Sequence, residues 1–145
     1  MIKYFDNIEE LIEIHKKTIE FSGGGTYGIL NSQYLESAIE HIRNDDYYPE
    51  FEDKLTHLFW SLNKNHIFQD GNKRIALTIS TMFLLKNGYM IIAGRFMQEM
   101  EAISYHVAAG HIDKKLLGKL ISSFLYDDDF SEELKLELLN AFSKG

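Results

Sequence analysis

The sequence contains no cysteine and a single proline among its 145 residues. The absence of cysteine excludes disulfides, thiolate nucleophiles and zinc–thiolate sites, and it is typical of a reducing compartment. No stretch approaches the roughly 18 uninterrupted apolar residues that a transmembrane helix requires. The N-terminus, Met1 to Asp6, lacks the basic start and apolar run of a signal peptide. We therefore expect a soluble, cytoplasmic protein without a membrane partner.

Basic residues are also few, since 15 lysines and arginines stand against 22 acidic residues and give a net charge of −7. Duplex nucleic acid would be repelled at long range, so we do not expect a nucleic-acid partner. Apolar residues make up 45% of the chain and aromatic residues 13%, enough for a packed core. The length predicts a single domain over residues 1–145.

The apolar residues repeat with the period of an α-helix along most of the chain. The stripes comprise Ile8, Leu11, Ile12, His15 and Ile19; Leu55, Leu58, Phe59 and Leu62; Ile75, Ile79, Met82 and Phe83; Leu116, Leu117, Leu120, Ile121, Phe124 and Leu125; and Leu134, Leu138, Leu139 and Phe142. The segment 75–86 is apolar on nearly every side and is predicted to be the central, buried helix. Residues 131–142 are predicted to form a C-terminal tail helix.

Two further segments have their own predictions. Tyr89 to Ile92 is predicted to be a short strand, and Arg43 to Asp53, which contains the proline, is predicted to be an irregular connection. The sequence therefore predicts an all-α, compact helical bundle with a short flap or strand element.

The segment from His66 to Arg74 combines side chains suited to phosphate chemistry. Gly71 permits a tight turn, and the first turn of the following helix offers free backbone N–H groups and the positive end of the helix dipole. Lys73 and Arg74 add two cations. Asp70 supplies a hard oxygen ligand for Mg²⁺, and His66 can accept a proton near neutral pH. Base, metal ligand and anion site thus fall within a short segment, as phosphoryl transfer requires.

This segment resembles the signature of the Fic/Doc (Fido) family, H-x-F-x-[D/E]-[G/A]-N-[G/K]-R. The matching residues are His66, Phe68, Asp70, Gly71, Asn72, Lys73 and Arg74. The resemblance implies the helical Fic/Doc fold. It also implies that His66 is the catalytic base, that Asp70 holds Mg²⁺, and that Gly71, Asn72, Lys73 and Arg74 bind the phosphates of ATP.

Two positions make the sequence similar to the Doc (death-on-curing) toxin branch in particular. Fic adenylyltransferases usually have glycine where Lys73 stands and a second arginine where Leu77 stands. A guanidinium at position 77 could hold another phosphate, whereas leucine cannot. The resemblance implies a toxin kinase that transfers the γ-phosphate of ATP to a Ser/Thr hydroxyl of elongation factor Tu, restrained by a separate antitoxin. A Fic-type adenylyltransferase and a non-catalytic Fido-fold binding module stay open as alternatives.

Other features have simpler interpretations. Gly23, Gly25 and Gly28 spell G-x-G-x-x-G but follow a helical pattern, so they are expected to shape a loop and not to bind a dinucleotide. The histidines outside the segment lack the spacing of a metal-binding helix. In Fic-like proteins a flap near Tyr47 and Tyr48 pairs with the target backbone, but these aromatics could equally anchor a surface loop.

Overall fold

The computed structural model describes residues 1–21, 32–64 and 72–144. In that part of the chain it contains eight α-helices and no strand. They are α1 (Ile8–Phe21), α2 (Ser32–His41), α3 (Phe51–Lys64), α4 (Asn72–Lys86), α5 (Met90–Glu99), α6 (Glu101–Ala108), α7 (Lys114–Tyr126) and α8 (Glu132–Phe142). The predicted all-α fold is confirmed, while the division of residues 1–145 into a single domain stays a prediction.

Helix α4 occupies the centre of the bundle, as the apolar segment 75–86 predicted. It packs against α1, α3, α5 and α6. Ile75, Ile79 and Phe83 are fully buried, whereas Met82 and Leu85 reach the surface, so the helix is not buried on every side. It ends where expected, because Gly88 adopts a left-handed backbone conformation with φ of 88°.

Helix α3 is the second central element and packs against α2, α4, α6 and α7. Its Phe59 is fully buried and meets Phe96 of α5 edge to face, with ring centroids 5.6 Å apart. Phe96 in turn meets Phe124 of α7 in the same way at 5.8 Å. The aromatic side chains thus connect three helices through one region of the core.

The predicted tail helix is confirmed as α8, which begins after Ser131. The Ser131 hydroxyl caps it by accepting a 3.1 Å hydrogen bond from the backbone N–H of Leu134. Leu134 and Ala141 are buried, and the helix packs against α7. The tail therefore covers its own bundle, although Leu136 and Leu139 on its other face are exposed.

The predicted strand at Tyr89 to Ile92 is wrong, because these residues lead into α5. Four apolar residues in a row do not distinguish a strand from a helix. The residues that follow distinguish the helix from the strand, since Ala93, Phe96 and Met100 are buried at helical spacing after Tyr89. Ile91 is 84% exposed, as expected for a residue on the outer face of a surface helix.

The connection from Arg43 to Asp53 is irregular only as far as Glu50. It consists of turns, followed by the first residues of α3, and it contains no strand. The glycine motif at residues 23–28 lies outside the described residues. No helix in the described ranges is both long enough and apolar enough to cross a membrane.

Candidate functional site

The predicted catalytic segment lies between the two central helices. The chain leaves α3 at Lys64 and enters α4 at Asn72, and these helices pack against each other. The prediction that the segment leads directly into a helix N-terminus is confirmed by the start of α4. Backbone N–H groups in the first turn of a helix have no partner within the helix, and the dipole there favours an anion. The fold thus places a helix N-terminus, which attracts anions, at the end of the motif.

The end of α3 is fixed by a buried polar contact. Asn63 is 1% exposed, and its Oδ1 accepts a 2.7 Å hydrogen bond from the hydroxyl of Ser104 on α6. Its Nδ2 donates to the backbone carbonyl of Phe59 at 2.9 Å. Next in the chain, Lys64 donates to the carbonyl of Val107 at 3.3 Å. These contacts position the residue from which the catalytic segment departs.

The start of α4 is fixed by apolar burial. Ile75 and Ala76 are fully buried, and Leu77 is 5% exposed. These residues belong to the main hydrophobic core, so the first turn of α4 cannot shift without disturbing that core. A rigid helix start is suited to binding a phosphate through backbone N–H groups, because the donors are held in place before the ligand arrives.

The predicted site residues fall mainly on the undescribed part of the chain. His66, Asp70 and Gly71 lie outside the described residues. Asn72, Lys73 and Arg74 form the first turn of α4 by their backbone, but their side chains also lie outside the described part. Their roles in catalysis, metal binding and phosphate binding therefore stay predictions.

Comparison with known proteins supplies independent evidence on the family. The sequence matches the Fic/DOC family over residues 4–84, more than half of the chain. The chain belongs to the Fic/Doc family. The matched residues extend from the N-terminal segment through α1, α2 and α3 into α4, and so they include the whole predicted catalytic segment.

Two curated proteins are similar to this chain. One is "Toxin Doc" from Mycolicibacterium smegmatis (strain ATCC 700084 / mc(2)155), 29% identical over 105 residues that cover 70% of this chain and 81% of the relative. The other is "Protein kinase doc" from Escherichia phage P1, 32% identical over 108 residues that cover 72% of this chain and 82% of the relative. Both names agree with the resemblance to the Doc branch.

The structure also reveals a cluster of side chains around His57 that the sequence did not predict. His57 on α3 is 9% exposed, and its Nδ1 accepts a 2.8 Å hydrogen bond from Nζ of Lys114 on α7. Its Nε2 lies 3.2 Å from Nδ1 of His41 and 3.4 Å from the hydroxyl of Ser61. The ring of Tyr48 stacks on His57 with centroids 4.4 Å apart. Tyr48 is therefore an anchor for its loop.

The environment of this cluster disfavours positive charge. Burial, together with the neighbouring Lys114 and His41, lowers the pKa of His57 to about 4. Burial also lowers the pKa of Lys114. The i, i+4 spacing of His57 and Ser61, which share a face of α3, is a local sign of this cluster. No local pattern points to Lys114, which is distant in the chain and lies beyond the segment that matches the family.

Proposed function

We propose that this chain is a Doc-type protein kinase that transfers the γ-phosphate of ATP to a Ser/Thr hydroxyl of a cytosolic protein. The observation that carries the proposal is the position of the motif, which runs from the end of α3 directly into the fixed N-terminus of α4. Membership of the Fic/Doc family and the 32% identity to "Protein kinase doc" support it further.

The residues of the motif fit a magnesium-bound triphosphate by their chemistry. The first turn of α4 offers backbone donors to phosphate oxygens, and Gly71, Asn72, Lys73 and Arg74 stand at or just before it. Asp70 provides the carboxylate with which proteins usually hold Mg²⁺ beside phosphates and water. When bound, Mg²⁺ neutralises charge on the phosphate chain.

In the proposed reaction His66 takes the proton from the target hydroxyl. The hydroxyl oxygen forms a bond to the γ-phosphorus, and the bond between that phosphorus and the β–γ bridging oxygen breaks. ADP leaves with the bridging oxygen, while the positive groups of the motif stabilise the charge on the transferred phosphoryl group. The products are ADP and a phosphorylated protein.

The surroundings of Leu77 favour γ-phosphate transfer over adenylyl transfer. This position carries an arginine in the adenylyltransferases that the sequence resembles, but here the leucine is buried in the core. No guanidinium from this position of α4 can bind a second phosphate and orient ATP for attack at the α-phosphorus. By resemblance, the proposed target is elongation factor Tu, and a separate antitoxin is the proposed regulatory partner.

The test compares γ-labelled with α-labelled ATP in a reaction with Mg²⁺ and purified elongation factor Tu. We expect protein-bound label from the γ position only. His66→Ala should abolish the labelling, whereas His111→Ala, a matched change outside the motif, should not. Label from the α position would instead support the adenylyltransferase alternative. ATP binding without transfer to this target or to proteins of a cell extract would support a non-catalytic module.

A further inference from the structure

A groove of about 840 Å³ lies between α3, α7, the start of α8 and the turn that carries Tyr47 and Tyr48. Its size falls in the range of small-molecule sites. Thr56, Lys114 and Gly118 line it, and so does Ser123, which is 8% exposed and whose hydroxyl has no hydrogen-bond partner among the described residues.

Lys114 differs from Lys119, which also lines this groove and pairs with Glu137 at 3.2 Å. No ion pair among the described residues includes Lys114, whose Nζ instead donates to His57 and lies 5.4 Å from the centre of the Tyr48 ring. Its amine is thus half-buried and in contact with a nitrogen base, and no carboxylate of the described residues pairs with it.

The carboxylates that line the groove are occupied elsewhere or distant from Lys114. Glu52 accepts a 2.8 Å hydrogen bond from the hydroxyl of Tyr126, and Asp53 accepts one of 3.1 Å from the backbone N–H of Glu50. Asp127 lies at the other end of α7. In the described part of the chain, the side chains found against the Lys114 amine are the His57 ring from α3 and the Tyr48 ring from the preceding turn. Burial in this position lowers the pKa of Lys114.

We propose that Lys114 is a nucleophilic amine that forms a reversible imine with a small aldehyde or ketone bound in this groove. Lys115, the next residue of α7, also lines the groove and offers an ammonium for an anionic group on the same ligand. The class of ligand is therefore an anionic carbonyl compound. This inference does not depend on the kinase proposal, since it uses different residues.

Imine formation needs only the Lys114 amine, the carbonyl group of the ligand and a group that accepts a proton. The unprotonated amine of Lys114 attacks the carbonyl carbon, and a carbon–nitrogen bond forms. His57 Nδ1, 2.8 Å from the attacking nitrogen, is positioned to receive a proton from it. The carbonyl oxygen takes up the two hydrogens that the nitrogen loses and leaves as water, and the imine results. Desolvated lysines are well suited to such Schiff bases.

Pyridoxal 5′-phosphate, an aldehyde with a phosphate, is the probe for the test. The intact protein is incubated with it near neutral pH, reduced with borohydride and mapped by peptide mass spectrometry. We expect several-fold more label on Lys114 than on Lys115, which serves as a control within the same molecule. In protein unfolded by guanidinium before labelling, this preference should disappear.

Three variants complete the test. Lys114→Met should remove most of the label from the folded protein, and Lys115→Met should retain the label on Lys114 with weaker binding of the probe. His57→Gln should slow imine formation without abolishing it. Equal labelling of Lys114 and Lys115 in the native protein, or protection of Lys114 from the probe, would overturn the proposal without bearing on the kinase assay.

Discussion

The hydroxyl of Ser104 donates a 2.7 Å hydrogen bond to Oδ1 of Asn63 and thereby joins α6 to the last turn of α3. Both side chains are buried, so neither can replace this contact with water. Asn63 stands immediately before Lys64, where the chain leaves α3 for the catalytic segment. The contact therefore lies at the point where packing of the bundle can control the position of the site.

Ser104→Ala tests this contact. Removing the hydroxyl leaves the Asn63 carbonyl oxygen buried without this donor, and we expect the free energy of unfolding to fall by about 1–3 kcal/mol. Denaturant titration measures the change. Ser143→Ala, which removes an exposed hydroxyl near the C-terminus of α8, should change stability by less than about 0.5 kcal/mol. Equal effects of the two changes would contradict the prediction.

The lowered pKa of His57 predicts how the free energy of unfolding depends on pH. The folded protein holds the pKa of His57 at about 4, below the ordinary histidine value of 6.5, so the unfolded chain binds a proton first as the pH falls. The stability that His57 contributes is therefore complete above pH 6.5 and is lost as the pH falls from 6.5 to 4. From the size of the shift, the loss amounts to up to about 3 kcal/mol.

The measurement is the free energy of unfolding at several pH values across this window. His57→Gln is the control, since glutamine keeps an acceptor for Lys114 but does not titrate. The variant should show a shallower pH dependence than the wild type. A smaller slope of the same sign persists in both proteins, because burial and His111 also lower the pKa of His106. Identical slopes would show that His57 does not resist protonation in the folded state.

Asp45 forms an ion pair with the fully buried Lys54. Lys54 is 0% exposed, and its Nζ donates to Asp45 and to the carbonyl of Ile42, each at 2.7 Å. Burial lowers the pKa of Lys54, but Asp45 and Tyr4 outweigh it, so the pKa is raised overall. Asp45→Ala removes this carboxylate, and we expect a loss of about 1–2 kcal/mol after allowance for its exposure to solvent.

Asp46→Ala is the matched control for Asp45→Ala. Asp46 forms no ion pair among the described residues, and so its removal should change the free energy of unfolding by less than about 0.5 kcal/mol. Thermal and denaturant unfolding of the two variants give the comparison. A loss for Asp46→Ala as large as that for Asp45→Ala would mean that general surface charge, and not the bond to Lys54, sets the effect.

Leu77→Arg tests the importance of burial at the position that distinguishes the two branches. The new guanidinium would be placed in the core, and we expect destabilisation of the order of 3–5 kcal/mol. Leu77→Met, which keeps the volume and the apolar character, should cost less than about 1.5 kcal/mol. A folded Leu77→Arg protein with wild-type stability would show that the side chain reaches solvent or phosphate, and its products should then be examined for α-phosphate transfer.

Asp70→Ala tests the proposed metal ligand. Without the carboxylate, Mg²⁺ should no longer strengthen the binding of ATP, while binding in the absence of metal should change little. Calorimetric titration of wild type and variant, each with and without Mg²⁺, measures both affinities. Asp46→Ala again serves as the control. An affinity that rises with Mg²⁺ as much in the variant as in the wild type would remove Asp70 from this role.

Helical periodicity was sufficient to predict α1, α3, α4, α7 and α8, because each presents several apolar side chains to the core at regular spacing. It failed at α5, where the run from Tyr89 to Ile92 fits a strand as well as a helix and only the burial of Ala93 and Phe96 decides. It also missed α2 and α6, which span only ten and eight residues. Periodicity is a strong signal only when a helix is long enough to repeat it.

The sequence by itself determined the family, since the motif from His66 to Arg74 is contiguous. Its spacing can be recognised without knowing how the rest of the chain folds. It also determined that these residues lead into a helix. Only the tertiary structure decided that Lys114 meets His57, that Ser104 fixes Asn63 and that Leu77 is buried. Contacts between residues far apart in the chain depend on how whole helices pack, and this packing is set by the sum of many small apolar contributions that no local pattern records.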